Sequence, residues 1–298
     1  MKKFNKRNQS KLGEPMEIIA NYHCETGEGP TWHRSEQTLY WLDIPNGVLF
    51  KFDPSEGKHQ KVFTGPEIGG ITLQKDGSIL MFMSKGQVAI WQNGEFEVLI
   101  DGIEGEQDSR FNDVIAAPNG SVFCGTMPTD THNATLYRLD KDLSLHRVVT
   151  NVGISNGLGF TQDLSRMYYT DSTARTIYKY DFEPDSSKIG NGDVFLKTPD
   201  DGTIPDGMTV DSEDCVWAAR WDGYALYRYT PDGEEIEKID FDTKKISCPT
   251  FGGPDYSDLY VTSAGGHNLA ENGPTAGALF HLKPGVTGKQ EFFSEIGI

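Results

Sequence analysis

The chain has 298 residues and carries 27 Lys+Arg against 44 Asp+Glu, a formal charge of −17. A 37% hydrophobic and 11% aromatic content is enough to pack a core and excludes wholesale disorder. The acidic balance argues against nucleic acid or an anionic membrane surface as partner, because both need a basic face.

Met1 to Glu14 holds Lys2, Lys3, Lys6, Arg7 and Lys11 but lacks the apolar stretch of a signal peptide. Residues 1–15 therefore read as a basic N-terminal tail. Residues 16–298 read as one domain, since no linker-like segment divides them. Cys24, Cys124, Cys215 and Cys248 lie far apart with no CxxC. That reads as four reduced thiols and a cytoplasmic protein.

Helix periodicity is scarce, and short β-rich runs punctuated by Gly, Pro, Asp and Asn dominate. In chain order, the paired-strand runs are Thr38–Phe52, Ser78–Gln92, Ser121–Leu139, Arg166–Tyr180, Cys215–Tyr229 and Asp258–Leu282. Taking Leu39, Ile79, Val122, Met167, Val216 and Leu259 as equivalent, the spacings are 40, 43, 45, 49 and 43 residues. Six units at that period, with four strands each, predict an all-β six-bladed β-propeller. The segment Met16–Cys24 is expected to pair with the last blade and close the ring, which removes an open edge.

A short strand precedes each pair, and its entry residues are expected to converge at one mouth of the central channel. Those positions are Glu28, Gly69 or Gly70, Asn112, Asn156, Asp206 and Cys248 or Pro249. Asn, Asp and Gly are ordinary turn residues, so any one of them alone says little. Two carboxylates and two amides at equivalent positions are different, because buried and unpaired they are costly. One oxygen-preferring divalent cation in the channel resolves that cost. Ca²⁺, Mg²⁺ and Mn²⁺ fit this ligand set, and Zn²⁺ is compatible with carboxylates. Arg110, two residues before Asn112, offers a donor fork to a polar or anionic ligand. Gly153–Gly157 matches the G-x-S-x-G pattern, but no helix follows it, so a nucleophile elbow is rejected.

Several stretches resemble one family. They are GEGPTW at Gly27–Trp32, YWLDIP at Tyr40–Pro45, RFND at Arg110–Asp113 and CGTM at Cys124–Met127. ISNGLGF at Ile154–Phe160, IPDGM at Ile204–Met208 and FGGPDYSDLYVTSA at Phe251–Ala264 complete the set. Together they resemble the SMP-30/gluconolactonase/regucalcin-like family, in order, over about residues 17–285. The resemblance implies a six-bladed propeller with one divalent cation in its channel. It places the metal ligands on Glu28, Asn156 and Asp206, the substrate-binding residues on Arg110 and Asn112, and the general base on Asp206. Where the family carries a sugar-contacting glutamate after GTM, this chain has Asp130 as the nearest counterpart.

The implied reaction is hydrolysis of a sugar lactone to the aldonic acid, with no obligate protein partner. Two alternatives keep the same scaffold: an esterase or organophosphate hydrolase, and a non-catalytic calcium-binding propeller. A WD-type interaction propeller is disfavoured, because the only Trp-Asp pair is Trp221-Asp222.

Overall fold

The computed structural model describes residues 16–298. The basic stretch assigned to residues 1–15 lies outside the described residues. Six antiparallel four-stranded sheets make up the fold. The chain enters through β1 (Glu17–Asn21). Blade 1 follows as β2 (Gly27–His33), β3 (Thr38–Asp43), β4 (Val48–Asp53) and β5 (Lys58–Thr64). Blade 2 is β6 (Ile68–Leu73), β7 (Ile79–Met83), β8 (Val88–Gln92) and β9 (Glu95–Ile100). Blade 3 is β10 (Phe111–Ala116), β11 (Val122–Thr126), β12 (Ala134–Leu139) and β13 (Leu145–Val152). Blade 4 is β14 (Ser155–Phe160), β15 (Arg166–Asp171), β16 (Thr176–Glu183) and β17 (Lys188–Lys197). Blade 5 is β18 (Ile204–Val210), β19 (Val216–Trp221), β20 (Ala225–Tyr229) and β21 (Glu235–Asp240). Blade 6 is β22 (Lys245–Gly252), β23 (Asp258–Ala264) and β24 (Ala278–Leu282), with the four-residue helix α1 (Leu269–Asn272) between the last two.

Blade 6 takes its outermost strand from the other end of the chain. β1 pairs antiparallel with β24, Glu17 opposite His281 and Asn21 opposite Ala278. The expected ring closure is present. The innermost strands β2, β6, β10, β14, β18 and β22 each touch the next, and β22 touches β2.

Middle strands such as TLYWLD (β3) and ILMFM (β7) are buried at every position. Both faces of a blade pack on neighbouring blades, so these strands read as apolar runs rather than alternating ones. The core is divided accordingly into six clusters, one at each blade interface. Tyr40, Leu42 and Leu49 of blade 1 meet Ile68, Met81 and Met83 of blade 2. Tyr168 and Ile177 of blade 4 meet Val210, Val216 and Tyr229 of blade 5. Many turns repeat one device: an Asp or Asn Oδ1 accepts both the backbone N–H and the hydroxyl of a Ser two residues on. Asp53–Ser55, Asp76–Ser78, Asn119–Ser121 and Asp163–Ser165 all do this.

The C-terminal segment carried no strand signal, yet it is ordered across the base of the ring. Gly288 N–H donates to Tyr256 O, and Ser212 N–H to Thr287 O. Phe292 packs edge-on against Phe160. Ser294 bonds Leu73 and Lys75 through the backbone, Glu295 N–H reaches Gly120 O and Gly297 N–H reaches Lys141 O. Arg34 of blade 1 bonds Gln290. One strap of 15 residues, 284–298, thus touches all six blades. No helix among the described residues is long and apolar enough to cross a membrane, and all four cysteines are free thiols.

Candidate functional site

All six innermost strands carry a register shift near their first residues: Glu28/Thr31, Ile68/Gly70, Phe111/Val114, Asn156/Leu158, Pro205/Met208 and Ile246/Pro249. A bulge leaves residues out of the ladder and re-aims their side chains. Here six bulges fall at one end of one channel; Asn112 and Asp206 lie within them, and Glu28 and Asn156 are the last paired residues before them. Glycines allow the strands to come this close. A Cβ at Gly69 would collide with the Phe111 carbonyl oxygen, and one at Gly157 would sit 2.6 Å from Asp206 O.

The structure brings Glu28, Asn112, Asn156 and Asp206 together, each buried with at most 6% of its surface exposed. A directed chain of hydrogen bonds links three blades. Arg110 Nη1 donates to Asn112 Oδ1 (2.6 Å), and Asn112 Nδ2 donates to Asn156 Oδ1 (2.6 Å) and to Ser155 O (2.8 Å). Asn156 Nδ2 donates to Ser172 Oγ (2.8 Å), which donates to Pro205 O (2.6 Å), next to Asp206. The guanidinium at one end and the carbonyl at the other fix the orientation of both amides. Arg110 is also held by Glu67, with Nε 3.3 Å from Oε1.

Three acids share this space. Glu28 is pushed well above the ordinary carboxylate range, first by burial and then by Asp113 and Asp206. Asp206 is raised likewise, by burial and then Asp113, while Arg110 and Lys245 oppose the rise. Asp113 is raised to about 7, chiefly by burial. The Glu28 carboxylate accepts the Gly29 N–H at 2.9 Å. Arg110 is itself depressed by desolvation, against the pull of Glu67, Glu28, Asp113 and Asp206. The Cys248 thiol, in the bulge of blade 6, is pushed up by burial and by the same acids. Below the cluster the channel holds a cavity of about 90 Å³, lined by Asp113, Cys248 and Thr250 and floored by Glu291 and Phe292 of the C-terminal strap.

Asp130 is exposed in the loop between β11 and β12 and, among the described residues, makes no hydrogen bond or ion pair. His267 is exposed in the loop containing α1. Two members of the cluster escaped the sequence reading. Asp113 lies in the RFND stretch, and its adjacency to Asn112 is the one signal the sequence offers; the bulge that brings it to the cluster exists only in the folded blade. Ser172 follows β15 in a turn and carried no signal, because only the packing of blade 4 on blade 5 brings it to Asn156 and Pro205.

A closed six-bladed ring with acids, amides and a guanidinium gathered at one channel mouth defines a β-propeller with a polar, acid-rich channel. Residues 26–265 match the model of the SMP-30/Gluconolactonase/LRE-like region, and the chain belongs to that family. It is similar to a pentonolactonase of Haloferax volcanii, 42% identical over 93% of this chain and 97% of the relative. It is also similar to a 6-deoxy-6-sulfogluconolactonase of Pseudomonas putida, 30% identical over 94% and 98%. Among solved structures, the calcium-binding protein regucalcin of Agrobacterium tumefaciens superposes with a TM-score of 0.85. It is 25% identical, covering 93% of this chain and 96% of that one.

Proposed function

We propose that the protein opens a sugar lactone to its aldonic acid with the help of one divalent cation, and that a five-carbon sugar lactone is its first substrate. Its lactonase relatives place it among lactone-hydrolysing enzymes, hydrolases of carboxylic esters. The 42% identity to the pentonolactonase, over nearly the full length of both chains, supports the five-carbon assignment.

The observation that carries the reading is the buried oxygen cluster. Three mutually repelling acids, with Arg110 as the neighbouring guanidinium, are what a dication would relieve. Among the described residues no three of His, Cys, Asp and Glu form a ready metal group, so the donor set needs the Asn156 amide oxygen. Glu28, Asn156 and Asp206 then supply three hard oxygen donors, which fit Ca²⁺, Mg²⁺ or Mn²⁺ and admit Zn²⁺. When bound, such an ion supplies Lewis acidity toward the lactone carbonyl.

The chain's own groups do the rest. Asp206 accepts a proton from the attacking water. Arg110 and Asn112, locked by their mutual bond, orient the carbonyl and the sugar hydroxyls. Water adds to the carbonyl carbon, the ring C–O bond breaks, and the ring oxygen leaves as a hydroxyl. The balance is one carboxylate and one released proton. Asp130 is assigned to the outer rim of the sugar site, and the cytoplasm to the protein, on the free thiols.

Acid release from a pentono-1,4-lactone and from D-glucono-1,5-lactone tests this, above the spontaneous rate. Protein stripped with EDTA is expected to lose turnover and to recover it with one of Mg²⁺, Mn²⁺, Ca²⁺ or Zn²⁺. One cation bound per chain with no turnover on any lactone favours the calcium-binding reading instead. Ser172→Ala removes the acceptor of Asn156 Nδ2. An unsatisfied buried amide costs about 1–3 kcal/mol. We expect roughly tenfold weaker cation binding by calorimetry, with thermal unfolding shifted by only a few degrees.

A further inference from the structure

The six-fold ring places blade 3 diametrically across the channel from blade 6. Their innermost strands are built alike. In β10 the last paired residue before the bulge is Phe111, opposite Thr126, and pairing resumes at Val114. In β22 it is Ile246, opposite Ser263, and pairing resumes at Pro249. The residue before each is then Arg110 in blade 3 and Lys245 in blade 6. The first bulge residues match as well. Asn112 Nδ2 donates to Ser155 O of the next blade, and Ser247 Oγ donates to Gly27 O of the next. Arg110 and Lys245 thus hold one rung on opposite walls of one mouth.

We propose that Lys245, carried on the face of Trp221, is a second substrate-binding group that faces Arg110 across the mouth and holds the sugar lactone and the aldonate it becomes. The proposal rests on the lactonase reading above. Lys245 Nζ lies 4.6 Å from the Trp221 ring centroid and 2.5 Å from Asp222 Oδ1. The aromatic face and the carboxylate hold an otherwise flexible ammonium in one place. Two of its three donors remain for a ligand. Trp221 is only part-buried, so the indole offers an apolar surface to the C–H face of a sugar ring. The chemistry also calls for a cation here. Ring opening converts a neutral lactone into an anion beside Glu28, Asp113 and Asp206. Arg110 already spends donors on Asn112, Phe111 O and Glu67. Lys244, the neighbouring cation, is turned to Glu271 and Asp222.

The test uses the full chain and a lactone that the wild type hydrolyses. Lys245→Met is expected to raise KM about tenfold, with a smaller change in kcat, and to weaken competitive inhibition by the aldonate product more than it raises KM. Lys245→Arg is expected to restore most of both. Trp221→Leu should raise KM several-fold. Thermal unfolding of each variant separates binding from folding. Unchanged KM and product inhibition in Lys245→Met overturn the proposal. So does a loss that Arg fails to rescue and that tracks a lowered unfolding temperature. A wild type inert toward every lactone overturns the lactonase reading instead.

Discussion

Asp206→Asn turns over lactone roughly a thousandfold more slowly than the wild type when both are saturated with cation. A positioned general base contributes about 10²–10⁴ in rate, and the amide keeps the shape while it cannot take the proton. Folding is not expected to suffer. Asp206 is 5% exposed beside Glu28 and Asp113, so removal of one charge relieves repulsion. The unfolding temperature of the cation-free variant should equal or exceed that of the wild type. Cation affinity falls because a carboxylate donor becomes an amide, and calorimetry sets the concentration needed for saturation. Turnover within tenfold of wild type at saturation would remove Asp206 as the base and turn attention to Asp113, whose carboxyl is raised to about 7 in the same cluster.

A chain truncated after Gly288 loses most of its stability. The strap buries Ile296 and Ser294 completely, packs Phe292 on Phe160 and adds Phe293 to the interface of blades 1 and 2. Burying each large apolar side chain is worth about 1.5–3 kcal/mol. Ile296 is fully buried and Phe292 and Phe293 partly so, so the three together supply at most about 9 kcal/mol, against about 5–15 kcal/mol for a whole protein. Polar ties add to this. Gln74 brackets Ile296 with its Oε1 on the Ile296 N–H and its Nε2 on the Ile296 carbonyl, both at 2.9 Å. Glu295 bridges Lys75 of blade 2 and Lys141 of blade 3. Ile296→Ala isolates one part: about 3 kcal/mol from the cavity it leaves, read as a lower urea midpoint with an unchanged slope. A truncated chain that unfolds within a few degrees of full length would show that the strap merely rests on the base.

Architecture was legible because a propeller repeats itself. Each blade buries both faces of its middle strands, so TLYWLD, ILMFM and VWAARW advertise themselves as apolar runs at a spacing of 40 to 49 residues. Entry residues were legible for the same reason. Once the period is known, Glu28, Asn112, Asn156 and Asp206 fall at one place in the repeat, and topology carries them to one mouth. The ring closure by β1 followed from the cost of leaving an edge strand open.

Other features depend on contacts between residues far apart in the chain, and local pattern carries no trace of them. Ser172 joins the polar chain only because blade 4 leans on blade 5. Asp130, which the family resemblance sets near the sugar, is exposed in the loop between β11 and β12, and no bond among the described residues fixes its direction. The strap from Pro284 to Ile298 has no periodicity, because each residue answers a different blade: Gly288 to blade 6, Thr287 to blade 5, Phe292 to blade 4 and Ser294 to blade 2. Repetition in the amino-acid order was sufficient for the six blades, their closure and the acids at the channel mouth. The relay through Ser172, the matched rung of Arg110 and Lys245, and the strap across the base came from packing, since each is a relation between surfaces that exist only once the ring has closed.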